Sequence, residues 1–149
     1  MTRRLLGYSA QDLVQSPYAK FYNPVIESLQ AQVAEALLIG PQAHELFPAA
    51  SAAATMADLE DWPVETGYTC PPDGSIRIFC LTHMPGVQPY MWDWWFGWHG
   101  CEAQRYKLWH PKAHVNARWA DGRADEAYIG RTSLITEYLG PKLAKGGIS

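Results

Sequence analysis

The feature that most constrains this chain is the stretch from Met91 to His114, MWDWWFGWHGCEAQRYKLWHPKAH, which holds five of the seven Trp and three of the five His. Pro89 just before it suits the first position of a helix, where its missing N–H costs nothing. From Pro89 to His99 the segment is apolar on nearly every face. Trp92, Trp94, Trp95, Phe96 and Trp98 cannot share one stripe, so the pattern predicts a helix over 89–99 enclosed by other elements. Gly100 stands where a C-cap is expected. Arg105-Tyr106-Lys107-Leu108-Trp109 alternates polar and large residues, which predicts a half-buried strand. His110 and His114 follow, with Pro111 between them to stop a regular ladder.

Around this stretch the chain reads as α+β. Residues 1–20 look like an irregular arm. Asn23-Pro24 opens a helix carrying Val25, Leu29, Val33, Ala36 and Leu37 at helical spacing, and Gly40-Pro41 ends it. Residues 42–57 are Ala-rich and read as partly helical, broken at Pro48, with Met56, Leu59 and Trp62 anchoring the end. From Val64 the period changes. Val64–Cys70 and Ser75–Thr82 form a hairpin around Pro71-Pro72-Asp73-Gly74, with Ile76, Ile78 and Cys80 on one face. Further strands are expected near 115–119 and 127–137, and 143–149 reads as a turn entering another. This predicts one domain over 1–149, with helices in 1–63 and an antiparallel sheet with an inserted aromatic helix in 64–149.

Composition narrows the function classes. At 48% hydrophobic residues and 13% aromatics, the chain has material for a real core. A net charge of −3 leaves no basic footprint for nucleic acid. No basic amphipathic helix points to a membrane surface, and no apolar run is long enough to span one. The positive Met1–Leu6 start is followed by Ser9, Gln11 and Asp12, without the apolar core of a signal peptide. Cys70, Cys80 and Cys101 are odd in number and fit no metal spacing. These features together predict a cytoplasmic location and reduced thiols.

The run PGVQPYMWDWWFGWHGCEAQRYKLWHPKAH resembles the 2,4-diacetylphloroglucinol hydrolase family, which includes phloretin hydrolases. Glu65-Thr66-Gly67-Tyr68 before it fits the same family, as do Tyr128-Ile129-Gly130-Arg131-Thr132-Ser133 and Glu137-Tyr138-Leu139-Gly140 after it. The likeness runs from about Val64 to Gly140. Gln88-Pro89-Tyr90 departs from the usual Thr-Pro-Glu, which alters the helix cap more than the chemistry. The resemblance implies a curved antiparallel sheet gripping a helix around a deep cavity, similar to the Bet v 1 fold. It implies Zn2+ held by two His and two Glu, with His114 as the first His ligand and Glu137 as the first Glu ligand. The second pair, a His-x-x-x-Glu helix, does not occur here, so the chain resembles roughly the first half of such a protein and its zinc site is expected to be incomplete.

By the same resemblance Tyr106 is the catalytic and substrate-binding tyrosine, bonding a phenolic or acyl oxygen. Read from the residues alone it is a core tyrosine with a satisfied hydroxyl. Arg105 and Lys107 are expected on the opposite face. His110 is the rival metal ligand to His114. His99 reads as a core histidine bonded to backbone, and His83 has no motif behind it. His44 beside Glu45 reads as a solvated helix face. Trp92, Trp95, Trp98 and Trp109 are either plain core or the walls of an apolar cavity, and Trp95 and Trp109 are the candidate substrate contacts. The implied activity is hydrolysis of the carbon–carbon bond between an acyl group and a polyphenol ring, with an aromatic ketone or acylated polyphenol as the small-molecule partner. A metal-free module binding apolar aromatic ligands and an inactive fragment remain as alternatives, and a homodimer is left open. Thiol titration under denaturing, non-reducing conditions is expected to count three free thiols, and a count of one would reject the reducing-compartment reading.

Overall fold

The computed structural model describes residues 6–47, 51 and 64–149. The expected anchors Met56, Leu59 and Trp62 and the break at Pro48 lie outside the described residues. In chain order the regular elements are α1 (Ala10–Gln15), α2 (Ala31–Ile39), β1 (Thr66–Thr69), β2 (Arg77–Cys80), α3 (Pro89–Gly100), α4 (Ala103–Trp109), β3 (His114–Trp119), β4 (Ser133–Leu139) and β5 (Lys142–Ile148), with short 3-10 turns at Ala19–Phe21 and His44–Leu46. Helices and antiparallel sheets together make the chain α+β. They group into two compact units: residues 28–85, and residues 1–27 with 86–149.

The smaller unit pairs α2 with the β1–β2 hairpin. Its strands run antiparallel, Thr66 opposite Cys80 and Thr69 opposite Arg77. The turn closes where Gly74 N–H donates to Pro71 C=O at 3.1 Å, with Gly74 at φ 80°. Pro presets the first turn angle and Gly accepts the positive φ, as expected from Pro71-Pro72-Asp73-Gly74. Phe47 is buried and meets Phe79 edge-on at 5.6 Å. Thr69 Oγ1 donates to Gln42 C=O at 2.8 Å, tying the hairpin to the chain after α2. His44 and Glu45 form an exposed pair at 3.4 Å. The helix expected from Asn23-Pro24 begins only at Ala31. Asn23 Oδ1 accepts from Val25 N–H at 2.9 Å, a local side-chain turn that competes with helical hydrogen bonding.

The larger unit carries a three-stranded antiparallel sheet in the order β3-β4-β5. The arm expected to be irregular contains α1. Ser9 Oγ accepts from Asp12 N–H at 3.1 Å while Ser9 N–H donates to Asp12 Oδ2 at 2.8 Å, a reciprocal cap written in Ser9-x-x-Asp12. Asp12 also accepts from Gln104 Nε2 at 2.8 Å, and Tyr8 OH donates to Gln104 C=O at 3.0 Å. These bonds hold the arm against α4.

Three further expectations are corrected. Residues 105–109 form helix α4 and no strand. Their alternation hides an i, i+3 pairing: Tyr106 meets Trp109 at 6.3 Å, and Arg105 reaches back to Glu102 at 2.9 Å. Pro111 disfavours helical geometry at His110, which sits at φ −139°, ψ 83°, and the helix stops there. The strand expected over 127–137 begins only at Ser133, because 120–132 form a loop held by side-chain bonds to Arg131. Third, α3 is the helix expected, with Gly100 inside it, but it is not enclosed. Gly97, His99 and Gly100 are buried, whereas Tyr90, Trp94 and Phe96 are 69%, 52% and 47% exposed. Its rings cover one another along the helix instead. Trp94 meets Trp98 at 5.2 Å, Trp92 meets Phe96 at 5.7 Å and Trp95 stacks on His99 at 3.8 Å, all at i, i+4.

Among the described residues no helix is long and apolar enough to cross a membrane. The three cysteines are free thiols. At Gly97 a Cβ would run into Glu126 C=O, a backbone atom with no rotamer to change. At Gly146 a Cβ would meet nothing. Gly97→Ala is therefore expected to destabilise the protein by about 1–3 kcal/mol through overpacking, and Gly146→Ala to stay within about 0.5 kcal/mol of wild type. Urea denaturation of both variants checks this, and equal effects would show that α3 does not approach the loop closely.

Candidate active site

The site is built where α4 lies on the start of β3. Antiparallel pairing sets His114 directly opposite Glu137, and the register shifts between His114 and Asn116. Tyr138 N–H donates to Ala113 C=O at 2.8 Å, holding the two strands together at that irregularity. The backbone N–H groups of Ala113 and His114 both donate to His110 C=O, turning the chain from α4 into β3. Local chain geometry thus presents His114 to its neighbours at a defined angle.

Tyr106 lies flat on His114, with ring centroids 3.7 Å apart and planes within 4°. The same residue accepts a hydrogen bond at its backbone carbonyl from His114 Nδ1, at 2.9 Å. A carbonyl can only accept, so Nδ1 carries the proton and Nε2 is left with a lone pair. That Nε2 stands 3.5 Å from Glu137 Oε2. Tyr106 OH donates to the same oxygen at 2.8 Å. Tyr106, Glu137 and His114 therefore form one connected triad from three elements.

Two opposing effects act on His114. Burial pushes its pKa down from 6.5, and this outweighs the pull of the Tyr106 carbonyl and the Glu137 carboxyl. The ring is thus neutral near pH 7, and the His114–Glu137 contact is not an ion pair there. Burial first, and the bond to Glu137 second, push the Tyr106 hydroxyl well above 10.0, so it remains a donor across the neutral range. Two acceptor atoms then face each other at 3.5 Å, an arrangement that favours a cation between them.

Imidazole nitrogen and carboxylate oxygen are the donors zinc accepts, and the Nδ1–H to carbonyl bond is the outer-shell contact that orients a ligand histidine. The pair fits two positions of such a site. Among the described residues no group of three or more His, Cys, Asp or Glu gathers around one point. His110, the rival ligand, has its ring 5.6 Å from that of His114 and a buried Nδ1 without a hydrogen-bond partner among the described residues.

Beside the triad opens a cavity of about 300 Å³, lined by Phe96, His99, Tyr106, Trp109, Trp119 and Ile135 among others. Trp109 lines it directly. Trp95 stands behind His99 and meets Trp109 edge-on at 4.6 Å. The loop side is shaped by Arg131, whose guanidinium lies over Trp119 at 4.7 Å and bonds Asp121 and Asp125 at 2.7 Å each. Trp119 Nε1 donates to Asp125 C=O at 2.7 Å. Arg131 and Ser133 line the cavity too. Periodicity did not single them out, and the one signal was their place in the YIGRTS run. Arg105, expected on the opposite face and either solvated or paired, is paired: it bonds Glu126 at 2.6 Å and closes α4 against the loop.

Burial also lowers the pKa of His99 from 6.5. In metal-free protein an unfolded chain therefore binds protons that the folded His99 and His114 refuse. Stability is expected to be level above about pH 6.5 and to fall as the pH drops toward about 5. Urea midpoints across this range test the sign, with a shallower fall expected in His99→Phe, and a midpoint that rises on acidification would contradict the neutral rings.

Comparison with known proteins sets this geometry in a family. The family model described as the DAPG hydrolase PhiG domain matches residues 46–149. A 2,4-diacetylphloroglucinol hydrolase from Pseudomonas sp is 30% identical over 137 residues, covering 85% of this chain and 46% of that protein. The protein of the same name from Pseudomonas protegens is 30% identical over 137 residues, 85% of this chain and 44% of its own length. A phloretin hydrolase from Eubacterium ramulus is 33% identical over 103 residues, 68% of this chain and 38% of its own. The chain spans less than half the length of these curated relatives. Since the domain model takes in α3, α4, the sheet and the whole Tyr106–His114–Glu137 triad, the chain belongs to the DAPG hydrolase PhiG domain family.

Proposed function

We propose that this domain serves a cytoplasmic zinc-dependent hydrolase that breaks the carbon–carbon bond between an acyl group and a polyphenol ring. The observation that carries the reading is the facing pair of acceptors, His114 Nε2 and Glu137 Oε2, 3.5 Å apart, joined through Tyr106, which bonds Glu137 and stacks on His114, to the aromatic-lined cavity that Tyr106 itself lines. The names of the relatives support the substrate class, acylated phloroglucinols and related aryl ketones. The β3–β4–β5 sheet is read as part of a Bet v 1-like helix-grip.

His114 and Glu137 would hold the zinc together with ligands from outside this pair. When bound, the ion supplies an acidified water and a polarised acyl carbonyl. The chain's own residues act around that chemistry. Phe96, Trp109 and Trp119 present flat apolar surface to a planar ring and keep bulk water from it. The Tyr106 hydroxyl is protonated and buried, and it can turn from Glu137 to a phenolic or acyl oxygen as negative charge develops there. Overall, the hydroxyl of water joins the acyl carbon, the acyl–ring bond breaks, and its electron pair takes up a proton on the ring carbon. The products are a carboxylic acid and the deacylated phenol.

The test incubates zinc-loaded protein, carrying this domain at the length of its relatives, with acylphloroglucinols and follows acid release. Acid release from these ketones is the expected result. His114→Ala is expected to lower zinc content and turnover together. Tyr106→Phe is expected to keep zinc and lower turnover by roughly 10²–10³-fold. Tight binding of the ketones without acid would make the cavity a binding site, and full activity in His114→Ala would remove the ligand assignment.

A further inference from the structure

One buried polar side chain in the cavity is not used by the chemistry above. His99 is 8% exposed. Its Nδ1 lies 2.6 Å from Trp95 C=O, one turn back on α3. That carbonyl can only accept, so Nδ1 carries the proton and Nε2 is a bare acceptor. Trp95 stacks on one face at 3.8 Å, Tyr106 lies nearly parallel at 6.1 Å, and Trp109 stands edge-on at 5.1 Å. The ring is fixed on several sides and lines the cavity.

Several other polar side chains of the cavity wall are paired within the protein. Tyr106 OH donates to Glu137, Tyr128 OH to Asp93 and Ser133 Oγ to Gly100 C=O. Arg131 is held by Asp121 and Asp125. Nε2 of His99 has no hydrogen-bond partner among the described residues, and it is not sealed from the cavity. A fixed acceptor in an aromatic pocket recognises a hydrogen-bond donor carried by a flat ring. We propose that His99 is a specificity-determining residue whose Nε2 accepts a hydrogen bond from a ring hydroxyl of the bound aromatic ketone. This deepens the hydrolase reading, on which the ketone rests, by stating which ring substituent the cavity requires. A site built around such a bond rejects the analogue that lacks the donor, because its buried acceptor is then left unpaired.

The experiment is a binding measurement on the present chain, by titration calorimetry, with acetylphloroglucinol and its fully O-methylated ether. Wild type is expected to prefer the hydroxylated compound. His99→Phe keeps a ring against Trp95 and removes the acceptor, and its preference is expected to shrink by roughly tenfold. His99→Gln, which returns an acceptor at similar reach, is expected to recover most of it. Near-ultraviolet circular dichroism of each variant establishes that the aromatic packing is intact. An unchanged preference in folded His99→Phe overturns the proposal, and so does a wild type that does not prefer the hydroxylated probe. Acid release plays no part in this readout. If the preference depends on residue 99 while the longer protein releases no acid, the hydrolase reading fails and the recognition role stands.

Discussion

Everything at the site depends on the flat contact between Tyr106 and His114. One residue makes both halves of it, its ring covering the imidazole while its backbone carbonyl accepts the hydrogen bond from Nδ1–H. The stack removes water and lowers the affinity of the ring for a second proton. The carbonyl fixes the tautomer, so Nε2 stays bare and directed at Glu137. The hydroxyl of the same tyrosine then donates to the carboxylate oxygen that faces Nε2. Position, protonation state and partner thus follow from where α4 rests on β3.

That placement explains why much of the site was legible in the sequence and part of the fold was not. His114, Glu137 and Tyr106 could be named because long, uncommon residue runs carried them, and the structure brings the three together. Secondary structure around them was harder. Residues 105–109 show a strand-like alternation, yet the tie that decides is Arg105 to Glu102, three positions back. A period of two and an i, i+3 pair, Tyr106 with Trp109, coexist in five residues, so the periodicity of that window does not select between them. The Ser9–Asp12 cap was equally present in the sequence, but a six-residue helix without an apolar stripe has no periodic signal. Hairpin and aromatic helix were readable because Pro and Gly mark their ends.

His99 shows a different limit. Sequence context made it a core histidine bonded to backbone, and it is one. The same bond that makes it structural also leaves its far nitrogen open. Whether that nitrogen meets packing or a cavity depends on which residues 119, 131 and 133 bring alongside, and no local pattern in α3 records them. A structural and a recognition role can thus occupy opposite edges of one ring.

The loop wall of the cavity is fastened in another way from its aromatic walls. Arg131 lies over Trp119 and is gripped by Asp121 and Asp125, whose carboxylates are 43% and 40% exposed at the rim. Dispersion and burial in the ring stack are indifferent to dissolved ions, whereas the carboxylate ends of these pairs meet the solvent, although at 2.7 Å they lie well inside the roughly 8 Å over which salt screens charges at physiological ionic strength. Salt therefore reaches this cavity from one side only and lightly: the ionic medium touches the loop wall by a small amount and leaves the Tyr106–His114 stack as it is.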